Sequence, residues 1–148
     1  MTFFAFEADF VDALRCIPMT VRYNLDRCGV KLKLQHWHQF SLAERQRLTH
    51  QPCQTPTEIL DYCTTLRDLV WQYNQDYPAD LPIPDPLPWE LSEIPDPVLA
   101  QAQSLSVTIT SRQWQSLTSL QRFALLKLSR SNHENSNFLP ACEEFGLI

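Results

Sequence analysis

Trp37-His38-Gln39-Phe40-Ser41-Leu42-Ala43-Glu44-Arg45-Gln46-Arg47-Leu48 returns 77 positions later as Trp114-Gln115-Ser116-Leu117-Thr118-Ser119-Leu120-Gln121-Arg122-Phe123-Ala124-Leu125. The shared pattern is W-x-x-[F/L]-[S/T]-x-x-x-R-x-x-L. In both stretches the hydroxyl residue and the Glu or Gln three positions on (Ser41 with Glu44, Thr118 with Gln121) spell a capping box. Side chain and backbone there satisfy each other's orphan groups at a helix start. Each tryptophan stands just before such a start, where it is expected to wedge between helices. Each arginine, four residues after the cap, is expected to bridge an inner carboxylate or to cap a neighbouring helix.

The same offset carries outward without a gap. Ile17 and Pro18 fall on Ile94 and Pro95, Val21 on Val98, Val30 on Val107, and Leu32 on Ile109. Residues 17–50 and 94–127 therefore read as two copies of one unit: helix, turn, short helix, longer helix. In the first copy Val21, Leu25 and Cys28 make one helical stripe, and Gly29 supplies a left-handed stop. In the second, Asp96-Pro97 reads as an N-cap with proline at the first helical position. Val30–Leu34 and Val107–Thr110 alternate apolar and polar residues. They either pair with each other as a minor two-stranded ribbon or serve as connectors, and connectors are expected.

Between the copies, Thr55-Pro56-Thr57-Glu58 opens the longest helix, with an apolar face of Ile59, Cys63, Leu66, Val70 and Tyr73 and an end near Tyr77. Residues 78–97 then carry Pro78, Pro82, Pro84, Pro86, Pro88, Pro95 and Pro97. That density imposes an extended path. Leu81, Ile83, Leu87 and Trp89 within it should strap it to the surface. Phe123–Leu128 should form a central helix. The fold class is thus mainly α: one compact domain over residues 1–148, built from two similar helix-turn-helix units joined by a long helix and a Pro-rich linker.

A hydrophobic share of 44% with 20% charged residues gives a chain able to bury a core. A net charge of −5 supplies no footprint for nucleic acid. No signal peptide and no membrane span are expected, and five cysteines without a CxxC read as reduced thiols inside the cell. Two glycines, Gly29 and Gly146, cannot write a P-loop or a dinucleotide fingerprint. His36, His38, His50, Cys53 and His133 stand at no metal-ligand spacing, and solvated histidines are the expected reading. Cys142 as a nucleophile with His133 as base is opposed by Glu143 and Glu144, which disfavour the thiolate. Glu7 with Asp9 reads as a solvated acidic face. No catalytic, metal or cofactor site is expected.

The opening Phe4-x-Phe6-Glu7-x-Asp9-Phe10-Val11-x-x-Leu14-Arg15-Cys16-Ile17-Pro18-Met19 resembles the nitrate reductase-associated protein family of cyanobacteria. So do Gln121-Arg122-Phe123-Ala124-Leu125-x-Lys127-Leu128-Ser129-Arg130 and His133-Glu134-Asn135-x-Asn137-Phe138-Leu139-Pro140-Ala141. The resemblance implies a cytoplasmic accessory or maturation factor for assimilatory nitrate reductase, a molybdenum-cofactor and iron–sulfur enzyme. The alternatives are a small metal or cofactor carrier delivering to the reductase and an enzyme acting on a molybdopterin intermediate. The first candidate partner-binding surface is Arg130, His133, Glu134, Asn135 and Asn137 beside Phe138, which together offer donors, acceptors and an aromatic anchor; the second is Arg15 with Pro18.

Overall fold

The computed structural model describes residues 3–7, 14–130 and 135–148. These gather into two compact units. One lies within Glu7–Ile83 together with Phe3, the other within Pro84–Ile148 together with Phe4–Phe6. The chain is mainly helical with a small two-stranded antiparallel sheet.

The first unit contains α1 (Met19–Cys28), β1 (Val30–Lys31), α2 (Leu34–Gln39), α3 (Leu42–His50), α4 (Pro56–Asn74) and β2 (Ala79–Asp80). Helix α1 stops where Gly29 takes φ +73°, and its amide returns to the Leu25 carbonyl at 2.9 Å. A Cβ there would sit 3.0 Å from the Ile83 side chain and from the Leu81 carbonyl, so glycine is required twice over. Ser41 and Thr55 cap α3 and α4 in complete capping boxes with Glu44 and Glu58. Helix α4 ends at Asn74, short of Tyr77, because Gln75 turns left-handed at φ 54°. Its buried stripe is Tyr62, Leu66, Leu69 and Val70, whereas Tyr73 lies on the surface and Ile59 and Cys63 are half-buried.

The second unit contains α5 (Asp96–Ser104), α6 (Ser111–Ser116), α7 (Ser119–Arg130) and α8 (Phe138–Glu144), with short 3-10 turns at Pro88–Glu90 and Asn135–Asn137. Helix α7 buries Phe123, Ala124, Leu125, Leu126 and Leu128, and α5, α8 and both turns pack on it, so it is the central helix of this unit. Pro95 rather than Asp96 flanks α5, and no side chain caps it. The linker delivers Trp89 into this core, edge-on to Phe123 with ring centroids 5.0 Å apart.

The small ribbon differs from the pairing considered for it. β1 pairs with β2 of the Pro-rich segment, Val30 opposite Asp80 and Lys31 opposite Ala79, and not with residues 107–110. The reason lies in where the amides go. Leu81 donates to the Gly29 carbonyl at 2.8 Å, which brings the chain leaving α4 back beside β1. The Val107 amide is instead consumed at the end of α5, on the Ala102 carbonyl at 2.8 Å, and residues 107–110 remain a connector.

Within each unit the same joint holds the short helix to the longer one. Trp37 and Trp114 are fully buried. The indole Nε1 of Trp37 donates to the Leu14 carbonyl at 2.6 Å, and that of Trp114 to the Leu91 carbonyl at 3.2 Å. Arg45 Nε donates to the Trp37 carbonyl at 3.1 Å and its Nη2 to that of His38 at 3.1 Å. Arg122 bonds the carbonyls of Trp114 and Gln115 at 3.0 Å each, and reaches the Trp89 carbonyl at 3.3 Å. The arginines therefore cap a neighbouring helix, donating to carbonyls of the last turns of α2 and α6. Arg122→Leu should destabilise the second unit by roughly 2 kcal/mol in urea unfolding. Arg122→Lys should recover only part of this, because an ammonium cannot span three carbonyls.

Candidate functional site

The surface of the first unit is organised by α4, whose inward face is core and whose outward face sets Leu60 and Trp71 among polar residues. A helix brings residues three and four apart onto one side. Leu60, Thr64, Arg67 and Trp71 follow that spacing, and Leu60 is 67% and Trp71 47% exposed. Arg67 Nη2 contacts Asp80 of β2 at 2.6 Å, so the guanidinium is fixed in the middle of this face. Tyr77, beyond the helix end, is also well exposed. Tyr73, another turn round the helix, donates its hydroxyl to Glu44 of α3. Along the other flank, Arg47, Gln51, Asp61, Thr64, Thr65, Asp68, Leu69 and Gln72 line an open polar groove of about 570 Å³ between α3 and α4. Asp61 and Asp68 are seven residues apart on one helix, or about 10 Å along its axis, too far to share a proton as a catalytic dyad does.

The residues singled out from the sequence are distributed differently. Arg130 is exposed at the last position of α7, and the Asn135–Asn137 turn packs against that helix. His133 and Glu134 lie outside the described residues. Asn137 is half-buried and flanks α8 without a side-chain cap, while Phe138 is fully buried. The expected aromatic anchor is thus a core ring that holds the turn in place and presents no surface. Arg15 is exposed, with its carbonyl facing His38 Nε2 at 3.0 Å. Pro18 is buried beside it and flanks α1, whose first amide is held by a group the sequence had placed in a solvated face. Glu7 is 2% exposed and its carboxylate accepts from the Met19 amide at 2.9 Å, a charge placed at the positive end of a helix.

His36 is a second departure from the solvated reading. It is buried on α2, and its Nδ1 accepts from the Lys33 amide at 3.2 Å. Burial, and then the Lys33 charge, hold its pKa below the ordinary value of 6.5. Gln113 does the same work in α6, accepting from the Thr110 amide at 2.9 Å. Cys142 is fully buried; burial and then Glu143 push its thiol up to about 11, far from a nucleophile's range.

Sequence spacing missed one cluster altogether. Cys28 Sγ stands 3.9 Å from Cys53 Sγ, and Cys63 Sγ donates towards the Cys28 carbonyl, also at 3.9 Å. Cys28 ends α1, Cys53 lies before α4 and Cys63 lies within it, so no local motif announced them. Among the described residues, no group of three or more His, Cys, Asp or Glu side chains is arranged to hold a metal ion. Also among them, no helix is long and apolar enough to cross a membrane.

Residues 3–145 match the model of a family described as conserved nitrate reductase-associated protein. No curated protein and no solved structure matches the chain.

The depressed His36 pKa sets a pH dependence with a definite sign. As pH falls below about 6.5, the unfolded chain takes up a proton that the folded chain resists, so His36 costs stability towards acid. His36→Gln should keep the cap, as Gln113 does, and remove that cost. Urea midpoints of wild type and variant should therefore diverge in the variant's favour as pH is lowered from about 7.5 to about 5.5.

Proposed function

Because this chain belongs to the nitrate reductase-associated protein family, we propose that it is a non-catalytic accessory or maturation factor. In this reading it works in the cytoplasm, binds assimilatory nitrate reductase and is needed for that enzyme's activity. The observation that supports the reading is the extent of the family match, residues 3–145, which takes in both units, together with the nitrate reductase association in the family's description.

The outward face of α4 supports it physically. Trp, Tyr and Arg are the residues that most often anchor protein interfaces, and Trp71, Arg67 and Tyr77 stand exposed or part-exposed at one end of the helix, with Leu60 at the other. An exposed tryptophan and leucine on one helix face bring little to a chain in water and much to a complex that covers them. Arg130 of α7 and Arg15 are further contact candidates, each exposed.

Purified nitrate reductase, apo and cofactor-loaded, should be retained by the immobilised full chain. Preferential retention of the apo form would mark a maturation factor, and equal retention a stabilising subunit. Trp71→Ala should weaken retention about tenfold or more while leaving the thermal midpoint near wild type, since the ring is half in water already. A reductase that neither binds the chain nor loses activity in cells lacking it would refute the proposal.

A further inference from the structure

We propose that Cys28 and Cys53 form an oxidant-responsive dithiol, a modification site at which a hydroperoxide closes an intramolecular disulfide. Three features of the first unit lead to it. The first is proximity: the two sulfurs are 3.9 Å apart and in hydrogen-bond contact, against about 2.05 Å for a covalent S–S bond. The second is a clamp. Arg27, next to Cys28 at the end of α1, donates to the Cys53 carbonyl at 2.6 Å and to the Gln54 carbonyl at 3.2 Å. Its guanidinium also lies over the Tyr23 ring, 5.1 Å from the centroid, so the segment carrying Cys53 is pinned against the helix that carries Cys28.

The third is polarity. The Cys28 thiol can donate to Cys53, and the Arg27 charge lies beside it; together these outweigh burial and hold the Cys53 thiol below its ordinary pKa. The hydrogen bond with Cys53, and then burial, push the Cys28 thiol up, and the same thiol reaches the Ile59 carbonyl at 3.6 Å. Cys53, beside the Arg27 guanidinium, is the sulfur that yields its proton more readily, and Cys28 the one that holds it, the division of labour that separates an attacking thiol from a resolving one. Cys53 is 3% exposed and Cys28 half-buried. Access is therefore restricted to a small oxidant, which is why a hydroperoxide rather than a bulky disulfide is the matching class.

The chemistry balances in two steps. The Cys53 thiolate attacks one oxygen of hydrogen peroxide, the O–O bond breaks, and with one proton taken up the products are the Cys53 sulfenic acid and water. Cys28 then attacks the Cys53 sulfur, the S–O bond breaks, and the Cys28 proton leaves with the hydroxide as a second water. Two thiols are oxidised by two electrons, one peroxide is reduced to two waters, and a thiol reductant reverses the bridge. Cys63 is the less favoured partner, because its sulfur is engaged with the Cys28 carbonyl at 3.9 Å.

The test is hydrogen peroxide treatment of the full chain carrying Cys16→Ser, which removes the exposed thiol. Blocking of free thiols and peptide mapping follow. The expected product is a Cys28–Cys53 linked peptide, lighter by two hydrogen atoms and restored by a thiol reductant, with Cys142 unmodified. Adding Cys28→Ser should halt the reaction at a Cys53 sulfenic acid trapped by a 1,3-dione, and adding Cys63→Ser should leave the bridge intact. In urea the preference for the Cys28–Cys53 pair should disappear. A bridge from Cys28 to Cys63, single-site oxidation with no bridge, or a bridge yield that urea leaves unchanged would each overturn the proposal.

Discussion

Each unit depends on one joint, a buried tryptophan whose surroundings are completed by an arginine from the next helix. A six-residue helix such as α2 or α6 is too short to hold itself in water. Its last carbonyls have no following turn to bond to, and its only large buried apolar group is the indole. Burying Trp37 or Trp114 supplies the apolar contact, the indole N–H finds a loop carbonyl, and the guanidinium of Arg45 or Arg122 closes the helix end. The longer helix is thereby fixed relative to the shorter one, since the arginine belongs to α3 or α7. The two joints reach the same bond by different backbone routes. Leu14 presents its carbonyl from the left-handed region at φ 49°, at a cost of about 1–2 kcal/mol, whereas Leu91 does so from ordinary extended backbone at φ −73°.

The first unit then acquires a feature absent from its counterpart's stretch, the 19-residue α4. Its inner stripe of Tyr62, Leu66, Leu69 and Val70 is spent on the core built around Trp37, and the Tyr62 hydroxyl donates to the Leu48 carbonyl of α3 at 2.7 Å. A long, well-capped helix tied down on one side can carry exposed apolar groups on the other without losing its fold. That is the arrangement the proposed binding role calls for, because groups that a partner would cover must be held in place before it arrives. The same rigidity places Cys63 and the segment before α4 against the end of α1, where the three thiols meet.

The capping boxes, the buried tryptophans and the central position of α7 were legible in the sequence, and the arginines were legible as one of two roles, because each rests on residues within a few positions of one another or on a repeat that states the same solution twice. The α4 start was legible for the same reason. The stripe of α4 was misplaced by part of a turn: Ile59, Cys63 and Tyr73 fit the apolar period as well as Tyr62 and Leu69 do, and periodicity cannot choose between two adjacent apolar faces. Phe138 failed as an exposed anchor because nothing local distinguishes an aromatic that faces water from one that enters the core behind a polar run.

Sequence alone determined the helical class, the starts of the helices that open on capping boxes and the family to which the chain belongs, since backbone capping and hydrophobic period are short-range properties. Tertiary structure decided which faces stay in water, that Val30–Lys31 pairs with Ala79–Asp80, that Glu7 and His36 are buried as helix caps, and that Cys28 meets Cys53. Each of these joins or covers residues far apart in the chain or shielded by distant elements. The physical reason is that a contact across 25 or 50 residues is set by how the helices pack, and local spacing holds no record of that packing.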